Sequence, residues 1–223
     1  MTRFFDILFS TLAIIVLFPI LIPVMIALKL TGEHYIFYEQ ERAGKGGKTF
    51  KLLKFATMLK DSPNMAGGMF TSENDPRMLP FGKILRKTKI NELPQLFNIL
   101  KGDMSIIGYR PISKAQYDRY PEEVKEALKK LRPGLSGIGS IVFRDEERIL
   151  QSVEDKDKFY HEMILPYKGA VEKWYAEHRS IGMYFLLIDL TVDAVLKPKS
   201  RRWWHLLKDK GLPCPPKELQ VYL

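Results

Sequence analysis

Asn91 and Glu92 stand side by side in the stretch TKINELPQLFNILKGDMSIIGYRP, which runs from Thr88 to Pro111. Cations gather on either side of them: Arg77, Lys83, Arg86 and Lys87 upstream, Arg110 and Arg132 downstream, with Asp75 and Asp103 as further nearby acids. Arginine's planar fork matches phosphate oxygens, and a carboxylate among such cations can hold a divalent ion. A helix that begins at Asn91 adds amide donors and a positive dipole end for an anion. The set reads as a phosphate-handling site, against the plainer alternative that charge runs on a basic protein form a solvated face. Candidate phosphate or substrate ligands are Lys54, Arg77, Arg86, Arg110 with Pro111, and Arg132.

The element that must position these residues is short. Asn91 is a good N-cap residue, Pro94 is tolerated in a first turn, and Leu93, Leu96, Phe97 and Leu100 recur at helical spacing. Gly102 then ends the helix at a position suited to left-handed φ. Aspartate would cap as well as asparagine, so exchanging them would alter reactivity without altering this helix.

Upstream, Ile7 to Leu28 is an apolar run broken only by Ser10 and Thr11, long enough by count to cross a bilayer. Pro19 and Pro23 each remove an amide donor from its middle, which predicts a sharp bend. Arms of ~20 Å or less fall short of a ~30 Å hydrocarbon core. Positive charge on both flanks, Arg3 before and Lys29, Arg42, Lys45 and Lys48 after, picks no crossing direction, so a membrane segment that dips in and returns at Pro19 and Pro23 is expected. A secretory signal peptide fits less well, because no small-residue cleavage site follows.

Tyr35 to Tyr38 and Thr49 to Phe55 are β-prone runs around a Gly/Lys turn and read as a hairpin. Gly47-Lys48-Thr49 is not a P-loop, since Arg42 stands where its first glycine belongs. Lys60 to Arg77 reads as a loop. Farther on, a helix is expected after Pro166, and Ile181 to Leu196 is an apolar helix with a narrow polar edge at Asp189 and Asp193, either interfacial or buried. Lys197 to Lys210 pairs basic residues with Trp203 and Trp204, a composition that suits anionic headgroups or a solvated tail.

Across 223 residues the chain carries a formal charge of +9 with 46% hydrophobic residues, which favours anionic partners: nucleic acid, anionic lipid or phosphorylated small molecules. Helix-turn-helix, zinc-finger and RNP signatures are missing, so nucleic acid is not an expected partner. The single cysteine, Cys214, excludes an internal disulfide, and His34, His161, His178 and His205 lack zinc-ligand spacing.

In order, RAGKGGKTFKLLKFATM, NDPRMLPFGKILRKTKINELPQLFNILKGDMSIIGYRP and LRPGLSGIGS, behind a proline-bearing hydrophobic segment, resemble the monotopic phosphoglycosyl transferases, the bacterial sugar transferase family. The resemblance runs from about Phe4 to Lys197. It implies a Mg²⁺-dependent enzyme on the cytosolic face of the bacterial inner membrane that moves a sugar-1-phosphate from a nucleotide sugar, usually a UDP-sugar, to polyprenyl phosphate. It also implies an Asp-Glu dyad whose aspartate attacks the β-phosphate; here Asn91 and Glu92 hold those positions, with Glu92 as the metal-binding acid. The Ser-Pro pair at the family's helix break is Phe18-Pro19 in this chain. Ala56 replaces a usual basic residue, Tyr109 a usual proline, and GLSGIGSIVFRDEE matches the common pattern after RPG only at Gly137 and Arg144.

A neutral amide is a poor nucleophile. Three outcomes follow: direct transfer without a covalent intermediate, transfer through Glu92, or a disabled or trapped protein that binds substrate or acts as a scaffold. The expected architecture is α+β: a re-entrant helix over residues 1–32, a membrane-associated transferase domain with interfacial helices over 33–197, and a basic aromatic tail over 198–223.

Overall fold

The computed structural model describes residues 2–62, 64–65, 75–197 and 199–223. Pro63 and residues 66–74, the centre of the expected loop from Lys60 to Arg77, lie outside the described residues. The chain is a mixture of many helices and two small sheets arranged as two compact units. One unit contains Ile7–Glu41 and Lys51–Lys101; the other contains the chain up to Asp6, Arg42–Phe50 and Gly102–Leu223.

In the first unit the apolar run forms a single helix, α1 (Thr2–Leu30), whose first five residues belong to the second unit. Helical conformation continues through Pro19 and Pro23, so the expected bend does not interrupt the element. Each proline forfeits one amide donor. The helix persists because Leu17, Leu21, Val24, Met25 and Leu28 pack around Phe55 and Leu85, and packing, more than propensity, carries helix stability. Its other faces stay bare, with Leu12, Ile15, Val16, Phe18, Ile20 and Ile26 exposed. Among the described residues α1 is the one helix long and apolar enough to cross a membrane.

The hairpin forms as expected from β1 (Phe37–Ala43) and β2 (Thr49–Phe55), paired through a 3₁₀ turn at Lys45–Gly47. The first strand starts later and runs farther than Tyr35 to Tyr38, because the alternation of outward and half-buried side chains continues to Ala43. Next come α2 (Pro80–Lys87), a 3₁₀ turn at Ile90–Glu92, and α3 (Gln95–Lys101). Gly102 ends α3 with φ +100°, as the sequence predicts. The face α3 buries differs from the apolar spacing. Gln95, Leu96, Asn98 and Ile99 are inside, while Phe97 is exposed. The cause is β2, whose Lys51 carbonyl accepts from Asn98 Nδ2 at 2.8 Å and whose Leu53 amide donates to Asn98 Oδ1 at 2.9 Å.

In the second unit, β3 (Ser105–Ile107) pairs in parallel with β4 (Gly134–Ser136), in register Ser105 with Gly134 and Ile107 with Ser136. Between them lie α4 (Lys114–Asp118) and α5 (Glu122–Lys129). After them come α6 (Ile138–Val142), α7 (Glu146–Gln151), α8 (Lys156–Phe159), a π-helical turn at Tyr160–Ile164, and α9 (Leu165–His178). Then α10 (Ile181–Leu196) matches its predicted bounds. It buries Met183, Tyr184, Leu187 and Leu190 and leaves Phe185, Val192, Val195 and Leu196 exposed. Its acids are used internally: Asp189 pairs with Arg202 at 2.8 Å and Asp193 accepts from Ser200 Oγ.

Residues 199–223 are not a free tail. Within them α11 (Arg202–Leu207) buries Trp203 and Leu207, α12 (Lys217–Gln220) buries Leu219, and Leu212 between them is buried too. Trp174 Nε1 donates to the Lys210 carbonyl at 3.1 Å and Tyr167 to that of Pro213 at 2.9 Å. Trp203 is therefore a core residue, and Trp204 alone of the pair is half-buried. Composition could not separate a buried indole from an interfacial one.

Asn98→Ala should strand the part-buried Lys51 carbonyl and Leu53 amide and cost roughly 1 kcal/mol, the low end of the penalty for unpaired polar groups. A fall in the thermal unfolding midpoint, larger than that of Lys101→Ala on the exposed side of α3, is the expected result.

Candidate active site

Asn91 is the middle residue of the 3₁₀ turn at Ile90–Glu92 and not the N-cap of α3, which begins only at Gln95. The expected capping role fails because Lys89 takes a left-handed conformation, φ +58° and ψ +10°, and tightens the chain before a regular helix can start. That conformation costs a non-glycine residue on the order of 1 kcal/mol, a strain typical of functional turns. Backbone bonds tie the turn to the end of α2: the Lys89 amide donates to the Arg86 carbonyl and the Glu92 amide to the Lys89 carbonyl, both at 3.1 Å. Arg86, Asn91 and Glu92 are thereby presented on successive turns of backbone. Arg86 and Glu92 are half-buried, whereas Asn91 is 8% exposed and its Oδ1 is buried with no hydrogen-bond partner.

Arg77 behaves differently from its expected role as a phosphate ligand. It is buried, and its donors are already engaged. Nε and Nη2 reach the Asp75 carboxylate at 2.9 and 2.6 Å, and Nη1 reaches the Ser62 carbonyl at 3.4 Å. Its backbone amide also donates to Asp75 Oδ1 at 2.9 Å. Arg77 therefore braces its loop and offers nothing to a ligand. Lys54 is half-buried and donates to Gln40 Oε1 at 3.3 Å. Ala56, where the resemblance leads one to expect a basic residue, is fully buried with its amide on the Ile36 carbonyl at 2.9 Å, a place with no room for a charged chain.

Arg110, Pro111 and Arg132 belong to the second unit, where the parallel pair brings the two Arg-Pro segments alongside each other. Tyr109 bridges Pro133 in parallel, and the Gly134 amide donates to the Tyr109 carbonyl at 2.8 Å. The backbones touch: a Cβ on Gly108 would lie 2.2 Å from the Arg132 carbonyl oxygen, and one on Gly137 would lie 1.9 Å from that of Gly108. Tyr109, the unexpected residue, is fully buried and donates its hydroxyl to the Ala43 carbonyl at 3.0 Å. The Ile112 carbonyl in turn accepts from the Ala43 amide at 2.9 Å. Arg110 is thus an exposed side chain in a segment tethered by buried Tyr109 and Ile112. Arg132 spends Nε on the Gly102 carbonyl at 2.7 Å and is half-buried. Arg144, by contrast, is exposed and reaches only the Val195 carbonyl at 3.5 Å.

Magnesium takes oxygen ligands, commonly one or two carboxylates completed by phosphates and water. The Glu92 carboxylate and the unpartnered Asn91 Oδ1 are such oxygens on adjacent residues, so the pair fits the ion. Among the described residues no three of His, Cys, Asp and Glu cluster. Sequence reasoning missed one polar residue that contacts a candidate phosphate ligand, Glu172 on α9, whose Oε1 accepts the Arg110 amide at 3.0 Å. It lies 62 positions away in a segment without a motif, so nothing in its spacing marked it.

The Arg77 guanidinium holds the Asp75 carboxyl down to about 2, from an ordinary value of 3.8. A depressed carboxyl stabilises the fold above its unfolded value, and that contribution is lost as pH falls toward the folded one. Asp75→Asn should therefore be less stable than the parent at pH 7, with the gap closing between pH 3.8 and about 2, as thermal unfolding at stepped pH would show.

The sequence model of the bacterial sugar transferase family matches residues 1–198. An uncharacterized sugar transferase of Haemophilus influenzae is 33% identical over 208 residues, 87% of this chain and 40% of that protein. The exopolysaccharide production protein ExoY of Sinorhizobium fredii is 37% identical over 158 residues, 65% of this chain and 70% of its own. The UDP-glucose:undecaprenyl-phosphate glucose-1-phosphate transferase of Escherichia coli is 34% identical over 162 residues, 71% of this chain and 35% of that protein. The chain thus spans well under half of two of these relatives and most of the third. With the ordered blocks around Asn91-Glu92 and the paired Arg-Pro segments in place, the chain belongs to the bacterial sugar transferase family.

Proposed function

We propose that this protein transfers a sugar-1-phosphate from a UDP-sugar to a polyprenyl phosphate at the cytosolic face of the bacterial inner membrane, initiating exopolysaccharide or other glycoconjugate assembly. The observation that carries the reading is the strained turn that sets Glu92 and Asn91 one turn after Arg86, in a chain of the bacterial sugar transferase family. The names of the Escherichia coli and Sinorhizobium fredii relatives support the donor, the acceptor and the assembly step.

Guanidinium geometry suits Arg86 of the first unit, and Arg110 and Arg132 of the second, to the role of phosphate ligand. Glu92 and the Asn91 side-chain oxygen would hold Mg²⁺, which would supply charge stabilisation for the phosphoryl oxygens. Asn91 has no carboxylate with which to attack phosphorus. A phosphate oxygen of the lipid therefore bonds directly to the donor's β-phosphorus, the bond from that phosphorus to the bridging oxygen breaks, and UMP leaves with the electron pair. Positioning and electrostatics lower the barrier for such a transfer without covalent help from the protein.

For attachment, α1 supplies the lipid-facing surface through its exposed apolar side chains. Its second half packs against α2, which carries Lys83, Arg86 and Lys87, and such a charged neighbour belongs outside the hydrocarbon. That packing, with Arg3 and Lys29 at the two ends, supports a monotopic attachment in which the second half of α1 stays with the protein outside the hydrocarbon. The bare apolar face of α10 adds an interfacial contact to the second unit. By function the chain divides into the membrane helix of residues 1–32, a transferase domain over 33–197, and a C-terminal segment from 198 that closes the second unit.

The test is UMP release by the full chain in nanodiscs with Mg²⁺, undecaprenyl phosphate and a panel of UDP-sugars. The parent should release UMP without forming a phosphosugar adduct detectable by intact mass, and Glu92→Gln should lose ~100-fold or more. Asn91→Asp should turn over faster and carry the adduct. Silence from both the parent and Asn91→Asp across the panel would overturn the proposal.

A further inference from the structure

We infer that Glu172 is the positioning residue for Arg110: from α9 it fixes the backbone from which the Arg110 guanidinium is offered to the donor's diphosphate. This rests on the transferase reading above. Glu172 is 3% exposed, and its Oε1 accepts the Arg110 amide at 3.0 Å. Gly139 on α6 is the floor of this contact, since a Cβ there would sit 2.2 Å from Oε1. The second oxygen, Oε2, is buried with no hydrogen-bond partner. Burying a carboxylate whose second oxygen goes unsatisfied costs free energy that a structural element would avoid by using an apolar residue.

What the carboxylate achieves lies at the other end of the bond. Tyr109 just before Arg110 and Ile112 two positions after it are buried and tethered, so the Arg110 amide is the point at which an exposed cation meets the core. The charged and titratable groups that face Glu172 are Lys168 and Tyr175 from its own helix, Arg110 and Tyr109 from the segment after β3, and Tyr120 from between α4 and α5. Lys168 is itself engaged by Glu146, with Nζ 2.5 Å from Oε2. Burial pushes the Glu172 carboxyl up to about 7, against the opposing pull of the Arg110 amide, Lys168 and the Arg110 charge. Its charge therefore changes within the physiological range, directly behind a phosphate-binding arginine.

The experiment compares Glu172→Ala, Glu172→Gln, Arg110→Ala and the Glu172→Ala/Arg110→Ala double variant as full chains in nanodiscs, in whichever of the parent or Asn91→Asp backgrounds turns over. Glu172→Ala should raise donor KM ~10-fold with a smaller change in kcat, as expected when a binding group is displaced rather than removed. The double variant should be no worse than Arg110→Ala alone, because both changes disable one unit. Glu172→Gln keeps an acceptor oxygen and should recover part of the loss, while the step near pH 7 in the parent's KM profile should vanish. Hydrogen exchange of the Arg110 amide gives a readout independent of turnover: it should speed up in Glu172→Ala and stay slow in Glu172→Gln. Additive losses in the double variant, or unchanged exchange at Arg110 in Glu172→Ala, would overturn the inference. Absence of turnover in every form strikes the transferase reading instead and leaves the exchange measurement to judge the anchor.

Discussion

Backbone contact among Gly108, Arg132 and Gly137 is the constraint on which the second unit depends. Two chain segments can run this close only where no Cβ intervenes, and the distances of about 2 Å to a hypothetical Cβ leave no room for one. Because the contact lies beside the parallel pairing of β3 with β4, it sets Tyr109-Arg110-Pro111 against Arg132-Pro133-Gly134. A parallel pair needs a crossover, and α4 and α5 supply it, so two motifs more than twenty residues apart in sequence become neighbours. Two Arg-Pro dipeptides are thereby held side by side by backbone hydrogen bonds.

A second principle sorts the charges. Cations that the protein uses internally are buried against a fixed acid: Arg77 against Asp75, and Lys168 against Glu146. Breaking such pairs is costly, because it leaves a buried charge alone. Arg110 remains exposed and Arg86 half-buried, and each sits on backbone whose hydrogen bonds are already made. The Lys89 turn adds local strain just before Asn91 and Glu92 and keeps this pair out of a regular helix. The Asn91 amide keeps the size and one oxygen of an aspartate but carries no negative charge, and a neutral amide is a poor nucleophile.

Much of this was legible in the residues. The apolar run, the hairpin, the stop at Gly102 and the bounds of α10 follow from periodicity, β-propensity and glycine, all of which act over a few positions. The order of the blocks around Asn91-Glu92, Arg110 and Arg132 was enough to point to the bacterial sugar transferase family, since a long ordered set of rare spacings seldom arises by chance.

Tertiary structure decided the rest, because it depends on partners far away in the chain. Arg77 looked like a ligand until Asp75 and Ser62 absorbed its donors. Phe97 looked like core until β2 claimed Asn98, and Trp203 looked interfacial until it was buried beside Leu207. Glu172 had no signature at all, since its role exists only where α9 meets the Arg110 amide. Residue types and their spacing settle which chemical groups this protein has and which local elements carry them. Only the fold decided which of those groups are consumed in holding it together and which are left to act, because burial and hydrogen-bond satisfaction are properties of contacts and not of residue types.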